Sequence, residues 1–384
     1  MSTASSAIDV MLKPLVIGGK SMRNRFVMAP LTRCRADDDH VPNAAMVKHY
    51  ADRASMGLII TEATQIQKGY STFVREGGIY SKEHVDGWKK VTDAVHAKGG
   101  VIFCQIHHGG RSTVPSNIEE GMHIVAPSAV AITDHECSEL FARSGIKQPY
   151  PVPHAMTAEE IATCVTLYSS AAKNAMAAGF DGVEVHGANG YLIDQFLKSG
   201  SNQRTDQYGG SMENRCRFLL EVLDAVIEAI GSEHVALRIS PLNSFNGQGD
   251  ENPEVLTRYI CSQLNLRRIA FLDVLRGDFF SPSRGADRWA REEYEGVLFT
   301  GMGFGIEEAV KTVESGAADA VVFGTTALAS PDLVARAVAG APLNKPDSKT
   351  FYTTGEPGYN DYPFMESADY VSDGPAGAQK APAP

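Results

Sequence analysis

The feature that most constrains this chain is an eightfold alternation. Short apolar, β-branched runs lie at 26–29, 58–61, 101–105, 182–186, 236–240, 270–275, 297–300 and 320–324, and amphipathic helical stretches separate most of them. Near-continuous apolar runs are strands buried on both faces, and strand–helix alternation makes them parallel. The expected fold is therefore α/β, a single (β/α)8 TIM barrel. An open Rossmann sheet would want G-x-G-x-x-G behind an early strand; the nearest run, Gly301-Met302-Gly303-Phe304-Gly305, misplaces its last glycine. Helix punctuation supports the alternation. Thr157 with Glu160 forms a capping box before a helix running towards Ala178, with Gly179 as its stop. Asn252-Pro253 and Ser330-Pro331 each place a cap before a proline, and Gly340 ends the second of those helices. Ser211 caps a helix whose apolar face carries Leu219, Val222, Val226 and Ile230 and which ends at Gly231. Residues 112–153 show no clean helical pattern and read as an insertion after strand 3, capping the barrel mouth. The barrel domain is expected over 1–372, and the Gly/Ala/Pro-rich residues 373–384 as a disordered tail.

Composition narrows the function classes. Hydrophobic residues make up 43% of the 384 residues and charged ones 21%, which suits a large core and excludes wholesale disorder, collagen and a coiled coil. Lys and Arg number 35 against 46 Asp and Glu, a net charge of −11. So acidic a surface, with no basic patch, predicts neither nucleic acid nor membrane as a partner. Cysteines stand at 34, 104, 137, 164, 216 and 261 without C-x-x-C or metal-ligand spacing, and read as buried thiols in a reducing compartment. Residues 1–10 lack the basic and apolar regions of a signal peptide, no run is long enough to span a bilayer, and the C-terminus lacks a peroxisomal tripeptide. A cytoplasmic protein is expected.

Barrel chemistry collects where strands end. Those ends read Pro30-Leu31-Thr32-Arg33, Glu62-Ala63-Thr64, Gln105-Ile106-His107, His186-Gly187-Ala188-Asn189-Gly190-Tyr191, Arg238-Ile239-Ser240, Thr300-Gly301-Met302-Gly303 and Gly324-Thr325. No lysine stands among them, which argues against a Schiff-base aldolase, and no metal spacing appears. Amide-recognising groups on strands 1 to 3, with glycine-bearing loops after strands 7 and 8, point towards a phosphate-bearing cofactor.

Longer segments then carry a resemblance. The run 23–33 (Arg-Asn-Arg-Phe-Val-Met-Ala-Pro-Leu-Thr-Arg), the run 105–111, the block 180–192 with His186, Asn189 and Tyr191, and the blocks 202–206 and 208–215 all resemble the Old Yellow Enzymes. These are FMN-dependent ene-reductases that include the plant 12-oxophytodienoate reductases. The likeness runs from about Leu12 to about Phe364, in order and at family spacing. It implies noncovalent FMN, hydride from NADPH or NADH, and reduction of the C=C bond of α,β-unsaturated carbonyl compounds: cyclic enones, oxylipin or prostaglandin-type substrates, or quinones. It also implies a monomer or homodimer with small molecules as its partners.

The same resemblance assigns roles. Ala29, Pro30, Leu31 and Thr32 would face the flavin edge; Ala63 and Gln105 would serve its ring; Arg238 would lie by N1 and the C2 carbonyl. Met302, Gly303, Gly324 and Thr325 would hold the phosphate end, and Phe351 the dimethylbenzene edge. His186 and Asn189 would donate to one substrate oxygen, Tyr191 would act as general acid, and Tyr352 would border the substrate mouth. Phe73 and Arg75 would also lie near that mouth. One departure matters: the family usually has Gly-Arg after strand 8, and here it is Gly324-Thr325, with Met302 where a glycine is usual. That implies weaker FMN binding, with Arg284 and Arg288 as the nearest replacement cations in sequence. Two other readings remain open on the residues alone: a flavin-free phosphate-binding barrel isomerase or aldolase, and a non-catalytic ligand-binding relic.

Overall fold

The computed structural model describes residues 4–133, 139–141 and 146–365. Cys137 and the expected tail 373–384 lie outside these residues. All eight expected strands form: β1 (Phe26–Met28), β2 (Leu58–Ile60), β3 (Ile102–His107), β4 (Gly182–Gly187), β5 (Val235–Ile239), β6 (Phe271–Leu275), β7 (Leu298–Gly301) and β8 (Ala320–Phe323). Every neighbouring pair is parallel, and β4 pairs with both β3 and β5 while β8 pairs with β1, so the sheet closes on itself. The principal helices are α1 (Ala44–Asp52), α2 (Lys82–Ala97), α3 (Ala158–Ala177), α4 (Met212–Ile230), α5 (Pro253–Arg267), α6 (Ala286–Glu293), α7 (Ile306–Glu314) and α8 (Leu333–Ala339).

Their ends follow the sequence signals. Thr157 Oγ1 accepts from Glu160 N at 3.2 Å while Thr157 N donates to Glu160 Oε2 at 2.7 Å, completing the capping box. Ser211 and Asn252 cap α4 and α5, each accepting a backbone N–H at 3.3 Å. Ser330 is different. The last helix begins at Leu333, and Ser330 Oγ instead accepts from Asn344 N at 3.0 Å, tying the following segment back to the barrel. Gly340 ends that helix with φ +62°, a conformation that costs glycine little.

Two hydrophobic layers hold the barrel. Outside the strands, Trp88, Tyr168, Phe196 and Phe218 pack in the buried layer shared with the helices. Inside it, Val27, Leu58, Phe103, Phe271 and Phe299 fill the lower half, the Phe271 and Phe299 rings stacking at 4.4 Å. An antiparallel hairpin, Leu15–Ile17 with Lys20–Met22, adds Ile17 and Met22 to that interior cluster. The barrel interior is packed in its lower half and opens into a cavity at the strand C-termini. Among its described residues the insertion after β3 holds a 3-10 turn, Pro115–Asn117, a strand, Val125–Ala126, paired with His154–Ala155, and a short antiparallel pair, Glu139–Phe141 with Lys147–Pro149, and it reaches the mouth as expected. No helix among the described residues is long and apolar enough to cross a membrane.

Candidate active site

The strand C-termini enclose a cavity of about 620 Å³. Pro30, Leu31, Thr32, Ala63, Gln105, His186, Asn189, Tyr191, Thr325, Phe351 and Tyr352 all line it. Of the remaining expected residues, Ala29 is buried beside them, and Gly324 directly precedes Thr325. Arg238 sits in the barrel wall, next to His186 in the β4–β5 register. Met302 and Gly303 stand apart from the lining. Met302 takes φ +92°, so the backbone keeps a glycine-like bend without a glycine, and Arg276 Nε holds its carbonyl at 3.0 Å.

At the cavity floor the strands carry polar and ionisable groups where apolar residues would be the default. Gln105 Nε2 donates to Glu184 Oε1 at 2.8 Å across the β3–β4 pair. Arg238 Nη1 lies 3.3 Å from Asp273 Oδ2 across the β5–β6 pair. Burial raises both carboxyl pKa values, Glu184 to about 8, with Asp273 adding to the rise and Arg238 opposing it. Arg238 Nε has no hydrogen-bond partner among the described residues, and Nη1 has the Asp273 ion pair without a hydrogen bond. A guanidinium buried with idle donors is costly unless something accepts from it.

The β4 end gathers the polar wall. His186 is held well below the usual histidine pKa, first by burial and then by His107 and Arg238, so it presents a neutral imidazole. His107 is pushed down to about 3 by burial, with its Nε2 3.1 Å from Thr72 Oγ1. The Tyr191 ring meets His186 at 5.0 Å and His107 edge-on at 4.5 Å. Tyr191 caps the short helix Leu192–Leu197, which fixes its backbone at the turn. Asn189 adopts φ +58°, in the left-handed region that asparagine tolerates.

The C-terminal arm closes another side. Arg33 donates to the carbonyls of Phe351 and Gly358, and Arg35 to those of Thr350, Gly355 and Pro357. These bonds set Phe351 and Tyr352 at the cavity, where Tyr352 stacks on Phe73 at 5.7 Å. Arg75 points elsewhere, to Asp38 at 2.7 Å. Arg284 spends its guanidinium on the carbonyls of Asp278, Ser281 and Ser283, while Arg288 faces Glu292 at 3.8 Å; neither lines the cavity. Tyr150 lines the cavity from the insertion expected to cap the mouth, while Phe245, Phe279 and Phe280 escaped the sequence reading. The Phe279-Phe280 doublet stands in a Gly/Ser-rich loop after a strand, and in the fold its rings are 48% and 43% exposed. Glu184 and Asp273 were equally visible, as acids inside apolar strands.

The comparisons agree with this geometry. The NADH:flavin oxidoreductase / NADH oxidase family profile matches residues 10–344. A protein of Leishmania infantum described as a probable flavin mononucleotide-dependent alkene reductase is 82% identical over 365 residues, covering 95% of this chain and all of that protein. Among solved structures, the old yellow enzyme from Trypanosoma cruzi superposes with a TM-score of 0.90 at 42% identity, covering 94% of this chain and all of that one. Morphinone reductase in complex with tetrahydroNAD gives a TM-score of 0.88 at 41% identity, over 94% of this chain and 99% of that one. With the family profile spanning most of its length and the barrel superposing throughout, this chain belongs to the NADH:flavin oxidoreductase / NADH oxidase family, the Old Yellow Enzymes.

Proposed function

We propose that the chain reduces the C=C bond of α,β-unsaturated carbonyl compounds, with FMN as cofactor and NAD(P)H as hydride donor. The family match and the alkene-reductase relative support that reaction class. The flavin-free isomerase or aldolase and the non-catalytic relic are not favoured beside them. The residues present fit a flavin. The idle Arg238 donors suit an electron-rich heterocycle edge, Gln105 offers an amide that both donates and accepts, and Pro30, Leu31 and Ala63 give flat apolar cover. Bound FMN supplies the hydride relay between the nicotinamide and the alkene.

The chain's own residues do the rest in this reading. His186 and Asn189 donate to the substrate carbonyl oxygen, where negative charge gathers as hydride reaches the β-carbon. Each such preorganised donor is worth roughly 2.7–4 kcal/mol at comparable oxyanion sites. Tyr191 hands a proton to the α-carbon. Arg238 would give a permanent cation to a bound flavin, stabilising negative charge on it. At the phosphate end Thr325 offers a hydroxyl and an N–H; the cationic residues lining the cavity are Arg33, already held by the C-terminal arm, and Lys147 of the insertion.

The observation that carries the reading is a wall formed by His186, Asn189 and Tyr191, with Thr32, Ala63 and Gln105 lining the same cavity. The test is anaerobic turnover of 2-cyclohexen-1-one with NADPH by the FMN-loaded protein. Flavin bleaching by NADPH followed by recovery of the oxidised spectrum on adding the enone is expected. Bleaching without recovery would overturn the assignment.

A further inference from the structure

We propose that Asn243 is a positioning residue that fixes which end of the Asn189 amide faces the substrate. The inference rests on the reading of Asn189 as a donor to the substrate oxygen.

An asparagine amide has an accepting end and a donating end of almost the same shape, so its orientation must be set by its neighbours. At Asn243 the neighbours leave no choice. Its Oδ1 faces two backbone donors, Phe279 N at 3.3 Å and Phe245 N at 3.4 Å. Backbone N–H groups only donate, so the oxygen must lie on that side and Nδ2 on the other. Nδ2 then meets Asn189 Oδ1 at 2.9 Å. That bond in turn requires the Asn189 oxygen to face Asn243, leaving Asn189 Nδ2 as the end available to the cavity that Asn189 lines. A donor aimed at an oxyanion stabilises it; the flipped amide would present an oxygen and repel it.

The relay is held rigidly. Asn243 is 1% exposed. Lys198, equally buried, donates from Nζ to the carbonyls of Asn243 at 2.9 Å and Ser240 at 3.0 Å, and lies 3.4 Å from Asp194. Asp194 Oδ2 accepts from Gly190 N at 2.8 Å, next to Asn189 in the chain. Ser240 Oγ accepts from Asn189 N at 2.7 Å, and Asn246 Nδ2 donates to Asn189 O at 2.9 Å. The loop after β5 thus grips the Asn189 backbone on both sides while Asn243 sets its side chain. Nothing in this arrangement gives Asn243 itself contact with substrate; it acts through Asn189.

The test uses the FMN-loaded enzyme and 4-hydroxybenzaldehyde, whose phenolate mimics the oxyanion and whose stacking on flavin gives a long-wavelength absorbance band. Asn243→Asp is nearly isosteric and still accepts from Phe245 and Phe279, but it cannot donate to Asn189, so the amide must turn over. Phenolate affinity should fall roughly tenfold to a hundredfold, the scale for a hydrogen bond to a charged group. Asn243→Ala, which frees the amide without inverting it, should cost less. The flavin spectrum should stay native in both. In an Asn189→Ala background neither change at 243 should alter affinity further, a result that neither a structural role nor simple repulsion by the new carboxylate would give. Additive losses at 189 and 243, or wild-type affinity in Asn243→Asp, would overturn the positioning role. If Asn189→Ala alone leaves phenolate binding intact, the donor reading of Asn189 fails instead.

Discussion

At the scale of single residues, the site depends on protonation states that burial has already chosen. His186 and His107 are both neutral near pH 7 because desolvation disfavours their charged forms and each sits near other nitrogen-bearing groups. A neutral imidazole can still donate one hydrogen bond, but it cannot be the acid that drives protonation of carbon. That leaves the phenol of Tyr191, whose ring packs against both histidines. Tyr191→Phe removes the hydroxyl and keeps the ring, so the packing should survive. Reduction of the flavin by NADPH should be spared, because no proton goes to an enone in that half-reaction. Enone reduction should slow by roughly 10²–10⁴, the range for losing a placed general acid. Stopped-flow measurement of the two half-reactions checks this, and equal slowing of both would make Tyr191 a structural residue.

At the scale of elements, the loops after β7 and β8 show what survives a substitution and what does not. Met302 keeps the bend that a glycine would give, at φ +92°. A conformation a methionine disfavours can persist because Arg276 pins its carbonyl while the guanidinium pairs with Glu308 and lies 3.6 Å from the Phe304 ring centre. A backbone shape can be rescued by neighbours in this way. Thr325 stands in the sequence where the resemblance leads one to expect arginine, and Arg284 is committed to carbonyls of its own loop. Exchanging a charged hydrogen bond for a neutral one gives up about 1 kcal/mol or more. Thr325→Arg should therefore tighten FMN by roughly tenfold. Titration of apoprotein, followed by quenching of flavin fluorescence, measures it. An unchanged affinity would mean that another cation already serves the phosphate.

At the scale of the whole molecule, buried carboxyls tie stability to pH. Glu76 is fully buried; Oε1 accepts from Thr72 N at 2.6 Å and Ser71 Oγ at 3.2 Å, while Oε2 has no partner among the described residues. Burial raises its pKa from 4.5 to about 8, and Glu62 and Glu184 are raised to about 7 and about 8. A carboxyl with a raised folded pKa holds a proton that the unfolded chain releases above about 4.5. Its contribution is thus fully present below that pH and is lost as pH climbs through 8. The protein should be less stable at pH 8.5 than at pH 5.5. Glu76→Gln cannot ionise and keeps the Oε1 acceptor. Its melting temperature relative to wild type should rise across that window, by about 2 °C or more. Thermal melts at saturating FMN give the comparison, and a pH-independent difference would show that Glu76 titrates normally.

The order of eight strands, their burial on both faces and most helix ends were determined by the sequence itself. Period, capping oxygens and glycine stops act over a few residues, and a few residues are enough to read them. The motif His186-x-x-Asn189-x-Tyr191 was legible for the same reason, since one strand end presents all three. Ser330 shows the limit: a local cap signal lost to Asn344, a partner fourteen positions away that only the folded chain supplies. The aromatic mouth of Tyr150, Phe245, Phe279 and Phe280 and the meeting of Arg238 with Asp273 were decided by closure of the barrel, which brings strands 3 to 6 edge to edge. The orientation of the Asn189 amide belongs to that class as well. It is fixed by Asn243, whose own orientation is fixed by Phe279 from another loop, and a side chain's hydrogen-bond sense is settled only when every donor around it has a place in space.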